Sequence, residues 1–446
     1  MSPDITSGIS RSLVAKLYDT IRAVLRTRRI FRPSMNELYT IRETCRICGG
    51  SSLRTFLDFG RLPLAGRFIK PDEIKNELLL PLSVCFCEEC AEVQTRESVS
   101  SEVLFRDYRF LASATATLSG HFVQYADEMS QRFLGPESLV VEIGSNDGVL
   151  LTAFSRRGIR AVGVEPARNI AEVATSRGCE VINDFFRPSP VEKLQGKADL
   201  ICANNVLAHI DDMHEVLQAV KMVLSPRGVL VFEVHYLMDL LDSYQYDMIY
   251  HEHMMYHSLR PISRLLEQWQ MKIFDVKRVP THSGSIRVYA QPQGNEYQHP
   301  QSSEVERLLN LEEQKGLYSF DTYLQFGHEV FTKRDALVAL VSSLISSGKK
   351  VVGYGASGRA SVHLNLCKFG PDKIPYVVDG SIERAGRLVP GTHNPIVLPE
   401  KFRADNADYA VVFAYNYLQE ILDKEKDFLA RGGKFIVPLP EPKIIE

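Results

Sequence analysis

The fold of this chain is decided by the stretch Leu139-Val-Val-Glu-Ile-Gly-Ser-Asn-Asp-Gly-Val-Leu-Leu151. Its apolar first half predicts a buried strand, and Gly144 and Gly148 predict a tight turn into an apolar helix. The next apolar run, Ala161-Val-Gly-Val-Glu165, ends in an acid 21 residues after Gly144, where a carboxylate can hold both hydroxyls of a ribose. We therefore predict an α/β domain that binds a nucleotide-like cofactor at the carboxyl ends of its strands.

The turn of this unit carries polar side chains where dinucleotide-binding loops keep bare backbone. It has Asn146 and Asp147 ahead of Gly148, in place of the pattern Gly-x-Gly-x-x-Gly. This loop favours S-adenosylmethionine, which has an amino-acid end and no phosphate. Polar residues after the later strands extend the same row at the sheet edge. They are Asp184, Asn204 and Asn205.

The last elements of this domain are typical of a class I methyltransferase. A fifth apolar strand over residues 229–234 precedes a helix and two strands, over residues 272–278 and 285–290. The turn at residues 280–284 joins these two strands as a hairpin, so the last strand runs against the others. Few dinucleotide-binding domains end this way. We predict a class I Rossmann-like methyltransferase sheet over residues 119–292.

A dense polar cluster follows the fifth strand, in Tyr250-His-Glu-His-Met-Met-Tyr-His257. A histidine suits a base in proton transfer because its ordinary pKa lies near neutral pH. The residues alone do not rank His251, His253 and His257 for this role. The spacing His251-x-His253 with Glu252 also occurs in metal sites, although only neighbouring loop residues would serve as ligands there.

Two Cys-x-x-Cys pairs precede this domain in the sequence. Cys45 and Cys48 form the first pair, Cys87 and Cys90 form the second, and 38 residues separate the pairs. Such knuckles direct thiolates at one tetrahedral ion, and in an intracellular chain they favour metal over disulfides. We predict a structural zinc whose four positions are filled by sulfur, with none open for chemistry. Cys85 breaks the spacing and is predicted to be a buried thiol.

A second strand-turn-helix pattern lies near the C-terminus, after a polar linker at residues 291–302. A Gly-x-Gly-x-x-Gly loop follows an apolar strand in Lys350-Val-Val-Gly-Tyr-Gly-Ala-Ser-Gly358, and Asp379 lies 21 residues past the last glycine. We predict a second Rossmann-like lobe over residues 303–446 whose loop contacts a nucleotide or a phosphate. The alternative is a degenerate copy of the central domain that is kept for packing.

Length and charge set the broad class of protein. The chain has 446 residues, and its 52 basic and 55 acidic residues give a net charge of -3. This near balance disfavours nucleic acid as a partner, and no apolar run approaches the roughly 20 residues that span a bilayer. The N-terminal residues lack the pattern of a secretory signal, so we expect a cytoplasmic protein without an integral membrane span.

Residues 1–40 are predicted to be an extension ahead of the zinc module, which we place at residues 41–118. Apolar residues recur at helical spacing from Leu13 to Leu25, with basic residues around them. We expect this helix to dock on the body of the protein or to be only partly ordered. The alternative is a basic amphipathic helix that lies on a membrane surface.

Several longer motifs run in a fixed order along residues 42–440. They are the paired cysteines, Leu57-x-x-Gly60-x-x-Pro63-Leu64-Ala65-x-x-Phe68, Val141-Glu-Ile-Gly-Ser-Asn-Asp-Gly148, Gly163-Val-Glu-Pro-Ala167-x-Asn169, Asn204-Asn205-Val-Leu-Ala-His209-Ile, Tyr250-x-Glu252-His253, Gly353-Tyr-Gly-Ala-x-Gly358-Arg359 and Pro390-Gly-Thr-His393. In this order the chain resembles the NDP-hexose C-methyltransferases, which place branch methyl groups on deoxysugars. Two residues depart from the family pattern: Gly66, where the family usually has Asn, and Ser283, where it usually has Gly.

The resemblance implies methyl transfer from S-adenosylmethionine to a nucleotide-linked 4-keto-6-deoxy sugar, at C-3 through an enolate, in deoxysugar biosynthesis. Thymidine diphosphate is the expected carrier, and GDP and UDP are the alternatives. The implied base is His253, with Tyr250, Glu252 and His209 around the same carbon and Tyr108 of the zinc module closing the site.

Two sets of ligand-binding residues are also implied by the resemblance. The cofactor-binding set is Glu142, Gly144, Asn146, Asp147, Gly148, Glu165, Asp184, Asn204 and Asn205. The resemblance also implies that the C-terminal lobe closes over the nucleotide-sugar and that its glycine-rich loop holds the diphosphate. The substrate-binding set is Tyr354, Gly355, Ala356, Ser357, Gly358, Arg359, Asp379 and His282.

Two other classes of protein share part of these features. An NAD-dependent oxidoreductase of nucleotide-sugars would use the Gly353–Gly358 loop and Asp379 for its cofactor. That reading leaves the Asn146-Asp147 loop and the reversed hairpin unexplained. A zinc-bearing scaffold with an inactive cofactor site would tolerate the loss of the polar cluster, which is intact.

Overall fold

The computed structural model describes residues 38–106, 108, 110–294 and 297–446. Contacts divide the chain into Met1–Thr40 and Ile41–Glu446, and the sheets and the cavity described below belong to the second unit. The basic helix predicted near the N-terminus lies outside the described residues. Within the described ranges, no helix is long and apolar enough to cross a bilayer.

The cysteine pairs lie in a small module rich in strands. The described strands begin with β1 (Tyr39–Ile41). The elements of the module are β2 (Leu53–Pro63), a 3₁₀ helix (Pro71–Asn76), β3 (Leu79–Cys87), β4 (Val93–Thr95), β5 (Glu97–Val99), α1 (Ser101–Phe105) and a second 3₁₀ helix (Ala112–Ala114). Antiparallel pairing joins β2 to β3 and β3 to β4. Leu57, Leu82 and Val84 pack in one buried core with Val330 of the C-terminal lobe, so the module shares a core with that lobe.

The central domain alternates strands and helices. Its elements are α2 (Ala116–Phe133), β6 (Leu139–Ile143), α3 (Val149–Ser155), β7 (Arg160–Val164), α4 (Arg168–Ser176), β8 (Glu180–Ile182), α5 (Pro188–Val191), β9 (Ala198–Asn204), α6 (Met213–Val223), β10 (Leu224–His235), α7 (Leu237–Asp242), β11 (Met255–Tyr256), α8 (Leu259–Gln268), β12 (Met271–Val279) and β13 (Ser285–Pro292). Short 3₁₀ helices lie at Glu192–Leu194, Leu207–His209, Tyr246–Met248 and Thr281–Ser283. All five residues of β6 are buried, as expected for a strand covered on both faces.

Seven strands form the central sheet in the order β12-β13-β10-β9-β6-β7-β8. The strands from β6 to β10 pair in parallel, while β13 runs antiparallel to both β10 and β12. This confirms the predicted class I methyltransferase sheet with its reversed last strand. The chain order reverses between β6 and β9, which opens a crevice at the carboxyl ends of the strands.

The segment with the polar cluster leaves this sheet. Its strand β11 pairs antiparallel with β4 of the cysteine module, with Met255 opposite Gln94 and Tyr256 opposite Val93. Residues 250–257 therefore bridge the central domain and the cysteine module, and the cluster is fixed from both sides.

The first cysteine knuckle is bonded to the central domain. The buried guanidinium of Arg46 donates from Nε to Asp211 at 2.9 Å. His214 accepts from Trp269 Nε1 on its Nδ1 at 3.0 Å, so its Nε2 carries the proton and donates to the Ile47 carbonyl at 3.1 Å. These bonds hold the knuckle against the segment that follows β9.

The C-terminal lobe has a second α/β sheet. Its elements are α9 (Ser303–Gln314), α10 (Phe320–Ser346), β14 (Val351–Tyr354), α11 (Gly358–Cys367), β15 (Val377–Val378), β16 (Ile396–Val397), α12 (Pro399–Arg403), β17 (Tyr409–Val412), a 3₁₀ helix (Tyr415–Tyr417), α13 (Leu418–Lys424), α14 (Lys426–Ala430), β18 (Lys434–Val437) and β19 (Lys443–Ile445). The strand order is β16-β15-β14-β17-β18-β19, and β19 alone in this sheet pairs antiparallel. The predicted second Rossmann-like lobe is confirmed.

Candidate active site

A cavity of about 670 Å³ opens where β6, β7 and β9 end. The cysteine module contributes Phe68 and Tyr108 to its wall, the central domain contributes Glu165 and His253, and the C-terminal lobe contributes Arg384. The volume lies within the range of roughly 300 to 1,000 Å³ that is usual for small-molecule sites. One continuous site is therefore built from all three parts of the chain.

Glu165 follows β7 and lies in the cavity wall. Its Oε2 accepts the N–H of Asn146 at 2.9 Å, and its Oε1 accepts the N–H of Ala167 at 2.8 Å. Burial raises the pKa of Glu165, while these two N–H groups act in the opposite direction. Each carboxylate oxygen retains a further lone pair, so the fixed carboxylate can still accept a ribose hydroxyl.

Two more polar side chains of this wall have unsatisfied atoms. Among the described residues, Glu142 Oε2 and both polar side-chain atoms of Asn204 are buried without a hydrogen-bond partner. Burial and the neighbouring Glu165 raise the pKa of Glu142 well above its ordinary value. Buried polar groups are seldom left unpaired in native proteins. The ammonium and carboxylate of an amino-acid moiety offer the missing donors and acceptors, so the residues fit such a cofactor.

Asn146 and Asp147 form several hydrogen bonds within the protein. Asn146 Oδ1 accepts the N–H of Ala112 at 2.9 Å, and its Nδ2 donates to the Phe110 carbonyl at 3.1 Å. The buried Asp147 pairs with Arg177 at 3.0 Å and accepts a bond from the Ser113 hydroxyl. These polar side chains fasten residues 110–113 over the loop. Asn146 also lines the cavity, and the cofactor contacts predicted for both residues stay a prediction.

The other residues of the predicted cofactor set divide into two groups. Gly144 and Asn205 line the cavity, whereas Gly148 lies outside its wall and begins α3. Asp184 also lies outside the wall. Its Oδ1 accepts the N–H of Phe185 at 2.8 Å and a bond from Arg187 at 3.1 Å.

His253 has one ring nitrogen fixed and the other free for chemistry. Its Nδ1 lies 2.7 Å from the Met248 carbonyl oxygen, and because a carbonyl only accepts, Nδ1 carries the proton. Nε2 is left with its lone pair. Burial and the neighbouring His209 lower the pKa of His253 well below its ordinary value, so the ring is neutral at pH 7. This is the form that a general base requires.

Two more rings surround His253 in the cavity. The Tyr250 ring centroid lies 4.0 Å from that of His253, and the His209 centroid lies 5.0 Å away at 82°. His209 Nδ1 is buried without a partner in the described part of the chain, and burial lowers the pKa of His209 to about 4. The structure thus brings three predicted catalytic side chains to one point.

Glu252 is held by the cysteine module. Its Oε1 accepts the N–H of Gly66 at 3.1 Å, and the Tyr108 side chain is also bonded to the carboxyl group. Burial raises the pKa of Glu252 to about 7, so the carboxyl titrates near neutral pH. A Cβ at position 66 would lie 2.4 Å from Glu252 Oε1. Because position 66 is glycine where the family usually has Asn, no side chain fills the space that the Glu252 carboxyl group occupies.

The other two histidines of the cluster face away from the cavity. His251 donates from Nε2 to the Pro81 carbonyl at 3.1 Å. His257 is buried 3.8 Å from the Glu92 carboxylate. The cavity wall contains His253 but neither of these rings, so the fold places in the cavity the one histidine of the three that the resemblance implies as the base.

The C-terminal lobe meets the cluster at the start of α11. Ser357, Gly358 and Arg359 line the cavity. A Cβ at Gly358 would lie 3.3 Å from the ring of Tyr250, so this glycine allows the helix to begin against that ring. Arg359 donates to the two oxygens of the buried Asp247 at 2.8 and 3.2 Å. This ion pair joins the lobe to the central domain.

Half of the predicted substrate set lies elsewhere. Tyr354 donates its hydroxyl to Glu425 at 2.9 Å, and Asp379 pairs with Arg384 at 3.3 Å. Gly355 has a φ of 90°, and a Cβ there would lie 2.6 Å from Ala414 Cβ. Packing therefore explains much of the Gly-x-Gly-x-x-Gly pattern. The predicted substrate residues outside the cavity wall are Tyr354, Gly355, Ala356 and Asp379.

The turn between β12 and β13 also reaches the cavity. His282 lines it, and His282 and Ser283 have φ values of 55° and 68°, a region that favours glycine. Arg359 Nη1 donates to Ser283 Oγ at 3.4 Å. The departure from Gly to Ser at position 283 thus adds a contact to Arg359 at a strained position.

Sequence reasoning missed Arg384, which lines the cavity, and Asp247, which lies outside the cavity wall and pairs with Arg359. Asp247 is fully buried; burial alone would raise its pKa, but Arg359 and His363 lower the pKa of Asp247 well below its ordinary value. The lone acid in the apolar run Tyr246-Asp-Met-Ile249 is a signal that could have found it. Arg384 lies in a polar stretch of sequence that is typical of a surface loop, so nothing in the sequence points to it.

The four paired cysteines converge on one point. Their sulfur atoms all lie within 4.8 Å of one another, with Cys45 and Cys90 3.5 Å apart and Cys48 and Cys87 3.6 Å apart. Zinc–sulfur bonds of about 2.3 Å in a tetrahedron give sulfur separations of about 3.8 Å, close to these values. In the described residues no group of His251, His253 and Glu252 forms a comparable metal site. Cys85 is buried outside the group, as predicted.

Each of the three parts of the chain matches a known sequence family. Sequence families match at residues 45–105 ("Putative zinc binding domain"), 118–274 ("Methyltransferase domain") and 280–440 ("C-methyltransferase C-terminal domain"). The C-methyltransferase NovU of Streptomyces niveus is 37% identical over 408 residues, which cover 90% of this chain and 97% of NovU. This chain belongs to the C-methyltransferase family. The family membership inferred from the sequence motifs is confirmed.

Solved methyltransferases align with part of this C-methyltransferase. The mitomycin 7-O-methyltransferase MmcR is 19% identical, with 40% of this chain and 54% of MmcR covered and a TM-score of 0.32. Magnesium protoporphyrin IX methyltransferase (ChlM) from Synechocystis PCC 6803, solved with bound SAM, is 14% identical, with 40% and 79% covered and a TM-score of 0.30.

The family membership also bears on the two alternative classes. The C-methyltransferase has the fold of S-adenosylmethionine-dependent methyltransferases, and Asp379, which an oxidoreductase would use for NAD, is paired with Arg384. A scaffold without activity gains no support, since Tyr250, Glu252 and His253 of the cluster all line the cavity.

Proposed function

We propose that this C-methyltransferase transfers a methyl group from S-adenosylmethionine to the carbon beside the ketone of a nucleotide-linked 4-keto-6-deoxy sugar. The position is C-3 by the family resemblance, and thymidine diphosphate is the expected carrier. The observation that carries the proposal is His253, a neutral histidine with a free Nε2 in the cavity beside the cofactor wall. The similarity to NovU, named a C-methyltransferase, supports transfer to carbon.

The residues that would hold the cofactor are those of the β6–β7–β9 wall. Glu165 would accept the ribose hydroxyls, and Glu142 and Asn204 would meet the amino-acid end. When bound, S-adenosylmethionine supplies an electrophilic methyl group on a sulfonium sulfur. The protein has only to create a carbon nucleophile and hold it in line, at about 3 Å.

The catalytic side chains would create that nucleophile by moving one proton. His253 Nε2 takes the proton from the carbon beside the ketone, and the electron pair moves onto the ketone oxygen to give an enolate. Donors that face this oxygen stabilise the developing charge. The phenol of Tyr250 is such a donor, since burial keeps its pKa well above the ordinary value and the phenol protonated. Tyr108, whose side chain is bonded to Glu252, would close the site beside it.

Zinc is the second proposed cofactor. The four converging sulfurs leave no ligand position free, so the ion would stabilise the fold and take no part in the reaction. The module it would hold provides Gly66, Phe68 and Tyr108 to the cavity, and this is how it would support activity.

Isotope exchange tests the proposed reaction directly. Wild-type protein with S-adenosylhomocysteine and a nucleotide-linked 4-keto-6-deoxy sugar in deuterium oxide should incorporate deuterium at the methylated carbon, because enolate formation needs no methyl donor. NMR distinguishes exchange at C-3 from exchange at C-5. With S-adenosylmethionine, mass spectrometry should show one added methyl group at the same carbon. Failure to methylate any such sugar, on any of the three carriers, would contradict the proposal.

Replacement of Glu165 tests the cofactor site. Glu165→Ala should weaken S-adenosylhomocysteine binding by about 1.5 to 3 kcal/mol, the range for hydrogen bonds to a charged group. Titration calorimetry measures the effect, and Glu172→Ala, which removes an exposed carboxylate of α4, is the matched control with no expected change. Equal affinity of the Glu165 variant and wild type would show that the ribose binds elsewhere.

A further inference from the structure

Arg384 is a cation of the cavity that no sequence motif identifies. It lines the cavity from the loop after β15, and its side chain is only 16% exposed. Its Nη1 donates to the Ala356 carbonyl at 2.8 Å and lies 3.3 Å from Asp379. Its Nε is buried and has no hydrogen-bond partner among the described residues.

The surroundings of Arg384 fix its guanidinium in place. Asp379 and the Ala356 carbonyl hold one side of the group, and the ring of Phe68 lies 5.1 Å from it, in cation–π range. Phe68 belongs to the cysteine module and also lines the cavity. The free Nε is thus held in position before any ligand arrives, and it needs an acceptor, since a buried unpaired donor is costly.

A phosphate is the acceptor that best matches this geometry. Guanidinium groups bind phosphate oxygens through two parallel N–H donors, and Nε is half of such a fork. The N-terminus of the ten-residue helix α11 also faces the cavity, through Ser357 and Gly358, and helix N-termini attract anions. Two independent anion-binding features therefore face the same end of the cavity.

Two other arginines, Arg187 and Arg359, line this wall, and each pairs with an acid of the protein, Arg187 with Asp184 at 3.1 Å. Arg359 gives Nε and Nη2 to Asp247, and its Nη1 reaches Ser283 and Asn416. It therefore joins the lobe to the central domain, and its donors are used within the protein.

We propose that Arg384 binds the diphosphate of the nucleotide-sugar, with the N-terminus of α11 beside it. The assignment rests on the proposed function, because it takes a nucleotide-linked sugar as the substrate. Asp379 then acts as a positioning residue that orients Arg384, and it is not a ligand of a ribose.

Nucleoside diphosphate binding tests this assignment. Thymidine diphosphate, UDP and GDP are titrated in turn into the full-length protein with S-adenosylhomocysteine present. Arg384→Gln should weaken binding of the preferred diphosphate by about 10- to 100-fold and reduce its salt dependence. Affinity for S-adenosylhomocysteine should not change. Arg387→Gln is the matched control, because Arg387 is in the same loop and bonds the Phe68 carbonyl but does not line the cavity.

A second variant covers a failure to fold. Arg384→Lys keeps the charge but loses the fork, and it should bind the diphosphate with an affinity between wild type and Arg384→Gln. Wild-type affinity in the arginine variants would overturn the role of Arg384 and leave the proposed reaction standing. So would a loss confined to S-adenosylhomocysteine. If the wild-type protein binds none of the three diphosphates, the proposed substrate class itself falls, and this assignment falls with it.

Discussion

The His253→Ala variant is expected to bind both ligands and to lose methyl transfer by about 10²- to 10⁴-fold, the usual scale for a positioned acid or base. The variant lacks Nε2, which would take the proton from the carbon beside the ketone. It should also fail to incorporate deuterium at that carbon in the presence of S-adenosylhomocysteine. Exchange separates loss of the base from a fault in methyl-donor binding.

The matched control is His251→Gln, since His251 belongs to the same cluster but bonds the Pro81 carbonyl outside the cavity. That variant should retain exchange wherever it folds. Rapid exchange in His253→Ala would instead move the base to His209, whose Nδ1 is also free.

The pH dependence of exchange has a defined direction. Neutral His253 is the active form, and burial lowers the pKa of His253 well below 6.5. Activity assigned to this base should therefore persist as pH falls past 6.5 and decline only at lower pH. The pKa of Glu252 is raised to about 7, so a change near pH 7 would report on Glu252.

Loss of one cysteine of the metal site should remove zinc and unfold the module around it. Structural zinc contributes on the order of 10 kcal/mol of folding free energy in small zinc modules, which is comparable to the whole stability of a typical domain. In Cys87→Ser, metal analysis should show zinc falling from one ion per chain, and thermal unfolding should begin at a lower temperature. Activity should fall too, since Tyr108 and Gly66 would lose their positions.

The matched control for this prediction is Cys85→Ser. Cys85 is buried in the same strand and bonds the Gln94 carbonyl at 3.4 Å, but it is not one of the four converging cysteines. It should retain one zinc per chain. A freshly purified, unchelated wild-type protein without zinc would contradict the prediction.

The two glycine loops show most clearly how a local sequence pattern differs from the position of its residues in the fold. Both sequences predict a strand, a turn and a helix, and both structures have them. Glu165 faces the cavity, while the corresponding acid of the C-terminal lobe, Asp379, forms an ion pair with Arg384. The same local pattern thus has two different roles, because the role depends on what another part of the chain places beside the loop.

The sequence by itself determined the elements, the reversed last strand, the paired cysteines and the family. These features depend on local periodicity, turn residues and spacing, which are written in contiguous residues. Only the tertiary structure placed His253 in the cavity and His251 and His257 outside it, bonded Asn146 and Asp147 to residues 110–113, and brought Arg384 to the cavity. Each of these depends on contacts between residues tens to hundreds of positions apart, and such contacts set burial, pKa and hydrogen bonding without leaving a local pattern.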